Sequence, residues 1–331
     1  MADQELNETL LTHGSTSPFL PDTFIQFAWD STCLGLIKTC PRLYQYTMID
    51  GYVGKGESIH LRFGQEYHQA LQDYDIARAE GIDHEDAIHS SISELVRRTH
   101  DWSVDETVKP GKYKNRQTLV SLVLDYLDHY VDDPAETYIK SDGKPAVELS
   151  FRFELDFGPG HLGDSDSVTH PYLLAGHMDR VVSFNDQLFV MDHKTTTTTP
   201  SQYYFNQYEP HNQMTLYTIA GQVVLNAPIK GVIVRAAQIL LDKENRFVSG
   251  FTLRTPDQLE EWMNDLRLHL ERAEDYAIRG YWPMNDTACD KFGGCKFRGV
   301  CSKSPSVREI YLKSDFEQLP REEIWSPLRS R

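Results

Sequence analysis

The chain has 331 residues, of which 40% are hydrophobic and 11% aromatic, and its 49 acidic residues against 33 basic ones leave a formal charge of −16. That apolar content is globular, enough for one large core or two small ones, and the acidity argues against indiscriminate binding of polyanions. No apolar run is long enough to cross a membrane and the opening Met1–Glu5 is not a secretory signal, so the expected location is the cytoplasm of a bacterium or of a virus-infected cell.

Residues 1 to about 22 are polar, carry Ser, Thr and Pro, and read as a mobile segment. Phe24 to Tyr46 reads as a helical entry segment ending near Pro41. From Leu61 to Glu80, Phe63, Tyr67, Ala70, Leu71 and Tyr74 recur at helical spacing, with His68 beside the stripe. Two more helices, 84–100 and 117–132, form a helical insert over about 84–132. Between them Lys109, Lys112, Lys114 and Arg116 make a basic loop, either a track for a nucleic-acid backbone or a solvated connector.

Strands are expected at about 146–156, 172–184 and 187–195, then a helix from Asn206 to Leu225. Gly231 to Leu241 and Arg246 to Leu253 read as a strand pair. Thr255 caps a long helix that starts at Pro256 and runs to about Arg279. Residues 23–305 read as one domain and 306–331 as a charged tail.

The chemistry concentrates in Gly176–Arg180 and Val190–Lys194. Val181–Phe184 and Leu188–Met191 are short, apolar and rich in strand formers, and Asn185-Asp186-Gln187 fits a tight turn between them. The hairpin brings Asp179 and Asp192 to comparable heights on adjacent strands. Side chains alternate, so Asp192 and Lys194 share a face while His193 points away. Two carboxylates, with the backbone carbonyl of His193 as a third oxygen, suit Mg²⁺ or Mn²⁺. Such an ion lowers the pKa of its water and stabilises phosphate charge, and Lys194 can orient the attacking water. The bland alternative is a hairpin with exposed charges.

Cys289, Cys295 and Cys301 are separated by five residues each, in a Gly-rich loop with Lys291, Lys296, Arg298 and Lys303 interleaved with Phe292 and Phe297. Three close thiols need one more ligand to hold zinc or a [4Fe–4S] cluster, and Cys33 and Cys40 are the two remaining cysteines. An odd count and no secretory signal argue against disulfides.

Taken in order, His68 in Gly64–His68, Asp179 in Gly176–Arg180, Asp192 and Lys194, and Gln213 with Tyr217 in Gln213–Tyr217 resemble the PD-(D/E)XK nuclease superfamily, in its RecB/AddB-type exonuclease branch related to CRISPR-adaptation nucleases. The resemblance covers residues 64 to 217 in motifs. It implies an α/β fold with a central mixed sheet flanked by helices. It implies His68, Asp179 and Asp192 as ligands of Mg²⁺ or Mn²⁺, Lys194 as a catalytic residue, and Gln213 and Tyr217 as organisers of the site. Glu148 and Arg180 follow as second-tier candidates, the acid as on the preceding strand of related enzymes and Arg180 either pairing with an acid or touching phosphate. Thr39–Tyr44 resembles the segment that opens iron–sulfur members of this branch, which implies Cys40 with Cys289, Cys295 and Cys301 as a cluster that staples the two ends of the domain. The usual first gap there is two residues; here it is five, which keeps zinc as the alternative.

The reading is therefore a metal-dependent deoxyribonuclease, an exonuclease, acting on DNA with a free end or single strand. No Gly-x-x-x-x-Gly-Lys-Ser/Thr loop is present, so unwinding would come from a helicase or recombination partner. The rivals are a catalytically inactive nuclease-fold module that binds DNA or protein in a recombination, replication or defence complex, and a zinc-stapled structural protein. Polarity, strand preference and oligomeric state stay open.

Overall fold

The computed structural model describes residues 17–160, 171–290 and 293–329. In chain order the strands are β1 (Ala28–Trp29), β2 (Tyr52–Gly54), β3 (Glu136–Thr137), β4 (Val147–Glu154), β5 (Leu173–Phe184), β6 (Gln187–Thr196), β7 (Ile229–Gln238), β8 (Arg246–Leu253) and β9 (Phe316–Gln318). The helices are α1 (Ser31–Thr39), α2 (Pro41–Tyr44), α3 (Ile59–Ala79), α4 (His84–Arg98), α5 (Arg116–His129), α6 (Gln202–Phe205), α7 (Asn212–Leu225), α8 (Pro256–Arg279), α9 (Arg298–Cys301) and α10 (Arg308–Asp315). The described residues divide into two compact units, one drawn from Met1–Lys55, Arg152–Gly176 and Met263–Arg331, the other from Gly56–Phe151 and His177–Trp262.

The second unit is a mixed sheet clothed by helices. β5 and β6 pair antiparallel, β6 and β7 parallel, β7 and β8 antiparallel, and β3 adds antiparallel to β5. The parallel step requires a crossover, and α7 provides it. Gly221 lets α7 lie close: a Cβ there would fall 2.9 Å from Ile229 Cγ1 and 3.2 Å from Val190 Cγ2. Helices α3, α4 and α5 enclose a core of Phe63, Tyr67, Leu71, Leu95, Leu119, Leu122, Val123 and Leu127, joined by Ala237 of β7 and Ile239 just past its end. Ser58, Asp83 and Asn115 cap these helices, Asn115 in a capping box with Thr118. The apolar spacing thus found both the helices and the face they bury.

The first unit holds β1 against the start of β5, Ala28 beside Leu173 and Trp29 beside Leu174, in parallel register. Its second sheet joins β2 to β9 antiparallel, Tyr52 opposite Gln318. The charged tail therefore supplies α10 and an ordered strand. Tyr46, Tyr52, Phe297, Val300 and Leu312 form a small core there, with Cys295 and Cys301 packed on it.

Three local expectations differ from the structure. Residues 24–46 contain a strand as well as helix: Ala28 and Trp29 extend, Asp30 caps α1, and the helix stops at Cys40 before Pro41. The helix expected from Asn206 begins only at Asn212, because Pro210 has no amide hydrogen to donate and interrupts the ladder. Of the segment 1–22 expected to be mobile, residues 1–16 lie outside the described residues, while Phe19 and Leu20 are buried and Phe19 bridges Gln26. Lys291 and Phe292 of the basic cysteine loop also lie outside the described residues.

Candidate active site

The β5–β6 hairpin turns on Asn185 and Asp186, both left-handed with φ of 50° and 57°, a geometry that matches the twist of the flanking strands. Phe184 then pairs with Gln187 and Arg180 with Met191. One step further along this register sets Asp179 across from Asp192. Regular pairing ends there, and Asp179 Oδ2 accepts the backbone N–H of His193 at 3.0 Å. A carboxylate has taken the place of a strand carbonyl, and the ladder opens around it.

His68 reaches the same oxygen from α3, its Nδ1 3.0 Å from Asp179 Oδ2. Burial works against a charge on His68, but Asp179 overrides it and lifts the imidazole pKa. Burial works against Asp179 too, yet the His68 charge and the bonds from His193 and His68 hold its carboxyl well below the usual range. Asp192 is 1% exposed. Burial raises its pKa against the pull of Lys194, and the like charge of Asp179 adds to the rise. Lys194 Nζ donates to Asp192 Oδ1 at 2.9 Å and lies 2.7 Å from Oδ2. Burial disfavours the ammonium, but Asp192 and Asp179 keep it protonated with a raised pKa.

Only the Oδ1 approach has hydrogen-bond geometry; Asp192 Oδ2 is buried without a hydrogen-bond partner. A buried carboxylate oxygen that makes no hydrogen bond, with the Lys194 ammonium 2.7 Å from it and a second carboxylate beside it, is the oxygen donor type that suits a hard divalent cation. Among the described residues, no three His, Cys, Asp or Glu side chains are already gathered as a metal site. In this arrangement His68 and Asp179 bond to each other.

On α7, Gln213 Nε2 donates to Tyr217 Oη at 2.9 Å, as four-residue spacing allows. Arg254 fixes the approach to this helix, donating to Thr215 Oγ1 at 2.9 Å and to the Tyr208 carbonyl at 2.9 Å. Arg180 is turned inward: Nη1 donates to Asp75 at 2.8 Å and Nη2 to the Ala135 carbonyl at 2.7 Å. Of the two roles open to it in the sequence, this is the pairing with an acid. Glu148 lies in β4 with φ of 47°, a left-handed conformation rare for a side chain with a Cβ.

Three participants had no motif to mark them. Tyr126 shares a hydrogen bond with His193 Nε2 at 3.0 Å, so the helix that looked like part of an insert braces the strand residue bound to Asp179. Tyr204, its hydroxyl 3.3 Å from that of Tyr208, stands in the neighbourhood of Lys194. Lys114, expected in an exposed basic loop, is buried, with its Nζ 3.2 Å from Thr195 Oγ1. Tyr126 was visible only as an apolar-stripe residue, and a stripe does not distinguish a hydroxyl with a partner from one without.

The cysteine region lies in the first unit. All five cysteines are free thiols. Cys40, Cys289, Cys295 and Cys301 line one pocket, with Leu43, Met284 and Phe297. The Asn285 N–H donates to Cys40 Sγ at 3.3 Å, and the Cys295 N–H to the Cys289 carbonyl at 2.8 Å. Gly293 and Gly294, at φ of 84° and 106°, let the loop turn back between Cys289 and Cys295. Cys33 is buried in α1 and does not line this pocket. The four cysteines share this pocket without being gathered as a metal site; thiols are the ligand type that iron–sulfur clusters and zinc take.

No helix among the described residues is long and apolar enough to cross a membrane. No curated protein matches the sequence. Solved structures that align with it include one from Eubacterium rectale, provisionally named an exonuclease, at 11% identity and TM-score 0.48, covering 86% of this chain and 92% of that one. SSO0001 aligns at 13% identity and TM-score 0.33, over 91% and 96% of the two chains. Residues 32–302 match the PD-(D/E)XK nuclease superfamily, and the chain belongs to that superfamily.

Proposed function

We propose that the chain is a metal-dependent deoxyribonuclease, an exonuclease of the RecB/AddB-type branch. The observation that carries this is the meeting of two buried carboxylates with a lysine and a histidine: Asp179 Oδ2 takes the His193 N–H and His68, while Asp192, whose Oδ2 makes no hydrogen bond, has the Lys194 ammonium 2.7 Å from that oxygen. His68, Asp179, Asp192 and the His193 carbonyl would hold Mg²⁺ or Mn²⁺. When bound, the ion supplies Lewis acidity and an activated water.

The remaining work falls to the chain's own groups. Lys194, kept protonated by two acids, steadies the negative charge on the phosphate in the transition state. Gln213 and Tyr217, bonded to each other, organise the α7 wall. Tyr126 holds His193, and His193 holds Asp179. Glu148 remains a second-tier acid. Cys40, Cys289, Cys295 and Cys301 hold a structural [4Fe–4S] cluster, with zinc as the alternative occupant. The substrate is DNA with a free end or single strand, and unwinding falls to a helicase or recombination partner.

The test is anaerobic purification, a visible absorbance spectrum with iron and zinc analysis, and incubation with end-labelled single- and double-stranded DNA in Mn²⁺, Mg²⁺ or EDTA. Lys194→Ala should lose about 10²–10⁴-fold in rate, and Asp192→Ala should abolish cleavage with its circular dichroism unchanged. Full activity in Asp192→Ala would sink the assignment. A folded wild type that binds DNA yet is inert in every metal would leave the binding-module reading in its place.

A further inference from the structure

Four of the six residues from Tyr203 to Tyr208 are aromatic. Three of those rings hold the segment in place. Tyr204 packs edge-on against Phe205 and Tyr208, with centroids 5.2 and 5.9 Å apart. Phe205 lies over Gly250 of β8, where a Cβ would fall 2.2 Å from its ring, so only glycine leaves room for it. Tyr208 is buried, its hydroxyl 3.3 Å from that of Tyr204. Its carbonyl accepts from Thr252 Oγ1 at 3.1 Å and from Arg254 Nη2 at 2.9 Å. Gln202 Nε2 donates to Asn206 Oδ1, and Gln207 Nε2 to the Tyr204 carbonyl.

Tyr203 is the exception. It is 86% exposed, and among the described residues its ring and its hydroxyl have no partner. A single exposed ring is commonplace on a protein surface. This one stands on a helix pinned from below, so ordering it on binding costs little chain entropy.

The strand register says where that helix lies. Asp192 of β6 pairs with Val234 of β7, and Val234 with Gly250 of β8. Directly paired residues project to the same face of a sheet. The Phe205 ring, which stands where a Gly250 side chain would, therefore lies on the face that carries Asp192 and Lys194. Two strand spacings, about 10 Å, separate Gly250 from Asp192. Tyr204 and Tyr208 accordingly stand in the electrostatic neighbourhood of Lys194 and Asp192.

A stacked strand rises about 3.4 Å per nucleotide, so one leaving the reacting phosphate covers that distance in about three nucleotides. The formal charge of −16 limits how much grip phosphate neutralisation can supply. Stacking of a base on a tyrosine ring does not depend on that charge, and it needs a base freed from its pair. We propose that Tyr203 stacks a base of single-stranded DNA within about three nucleotides of the cleaved linkage, and so selects single strands over duplex. This inference rests on the nuclease reading of the site. It makes Tyr203 a residue of specificity and leaves the chemistry to the acids and Lys194.

The experiment uses the full chain and single-stranded oligonucleotides with one abasic site at successive positions, beside an intact strand and a blunt duplex. Binding is measured in Ca²⁺ over a range of salt, and cleavage in Mn²⁺ locates the scissile linkage. In wild type, an abasic site at one position within about three nucleotides of that linkage should weaken binding about tenfold. Tyr203→Ala should weaken binding to the intact strand by a similar factor and be indifferent to that abasic site. Its slope of log affinity against log salt should match wild type, because the ring neutralises no phosphate. Tyr203→Phe should keep the affinity, and duplex binding should be the same in all three proteins.

Tyr203→Ala should melt at the wild-type temperature. A wild type that cleaves in Mn²⁺ yet is indifferent to every abasic site, or whose Tyr203→Ala variant keeps its affinity for the intact strand, overturns this inference alone. So does a Tyr203→Phe that loses as much as Tyr203→Ala, since the contact would then be the hydroxyl and not the ring. A chain that binds no oligonucleotide overturns the nuclease reading with it. Failure of both variants to fold would assign the residue to the fold and also overturn the inference.

Discussion

Asp75 and Arg180 make the sharpest test of how β5, the strand that carries Asp179, is supported. Both are 7% exposed, and their 2.8 Å bond is reinforced by Arg180 donating to the Ala135 carbonyl. Asp75→Ala leaves a guanidinium in the interior, with Asp133 the nearest remaining acid at 3.8 Å from Nη2. Breaking one side of such a pair costs about 3–5 kcal/mol. Asp133 is already held at 2.6 Å by Arg235, so its compensation is small. At about 2–4 °C per kcal/mol for a unit of this size, the melting midpoint should fall by on the order of 10 °C. The double variant Asp75→Leu/Arg180→Met replaces the pair with apolar groups of similar bulk and should recover most of the loss. Thermal and urea unfolding of the metal-free protein measure this, with DNA cleavage assayed well below the midpoint. If each single variant costs under about 1 kcal/mol while Arg180→Met loses DNA affinity, Arg180 faces the substrate and its inward pairing is wrong.

Other outcomes follow from the same geometry. Because Glu148 sits at φ 47°, Glu148→Gly should be more stable than Glu148→Ala by about 1–2 kcal/mol, the reverse of an ordinary strand position; equal stabilities in urea would show no left-handed strain. Tyr126→Phe strips a partner from His193 Nε2 and from Arg235 Nη1. It should cost about 1–3 kcal/mol and weaken Mn²⁺ binding by about 10-fold or more, read by calorimetry. The raised pKa of His68 stabilises the fold below about pH 6.5, a contribution lost as pH rises through the folded value, while the depressed pKa of Asp179 stabilises above about pH 3.9, lost as pH falls through its folded value. The melting deficit of metal-free His68→Asn should therefore be greatest near about pH 5–6 and shrink above neutrality; a deficit that grows with pH would contradict the pair.

The hairpin, the helix at 61–80, the two helices of the insert and the order of the motifs are legible because each depends on short-range regularities: alternation, helical spacing and turn chemistry. β1 was not, since two residues carry no pattern and their partners Leu173 and Leu174 are far along the chain. Pro210, inside the span expected to be helical, holds the start of α7 back to Asn212. Long-range pairings stayed hidden. Nothing near Arg180 in the chain points to Asp75, and nothing in a Lys-rich loop shows that Lys114 alone turns inward to Thr195. The proximity of Asp179 and Asp192 follows from the hairpin register, whereas the hydrogen bond between Tyr126 and His193 depends on how α5 packs.

The turn at Asn185 and Asp186 has a role out of proportion to its size. Neither residue is near the acids, yet the two of them set which side chains of β6 look toward Asp179. Strand faces obey odd and even numbering. An insertion of one residue in this turn would present Met191 and His193 where Asp192 and Lys194 now stand, with composition and hydrophobicity almost unchanged. An insertion of two would restore them. The parity of that loop's length would thus decide which face of β6 meets Asp179, without any change to the proposed site residues.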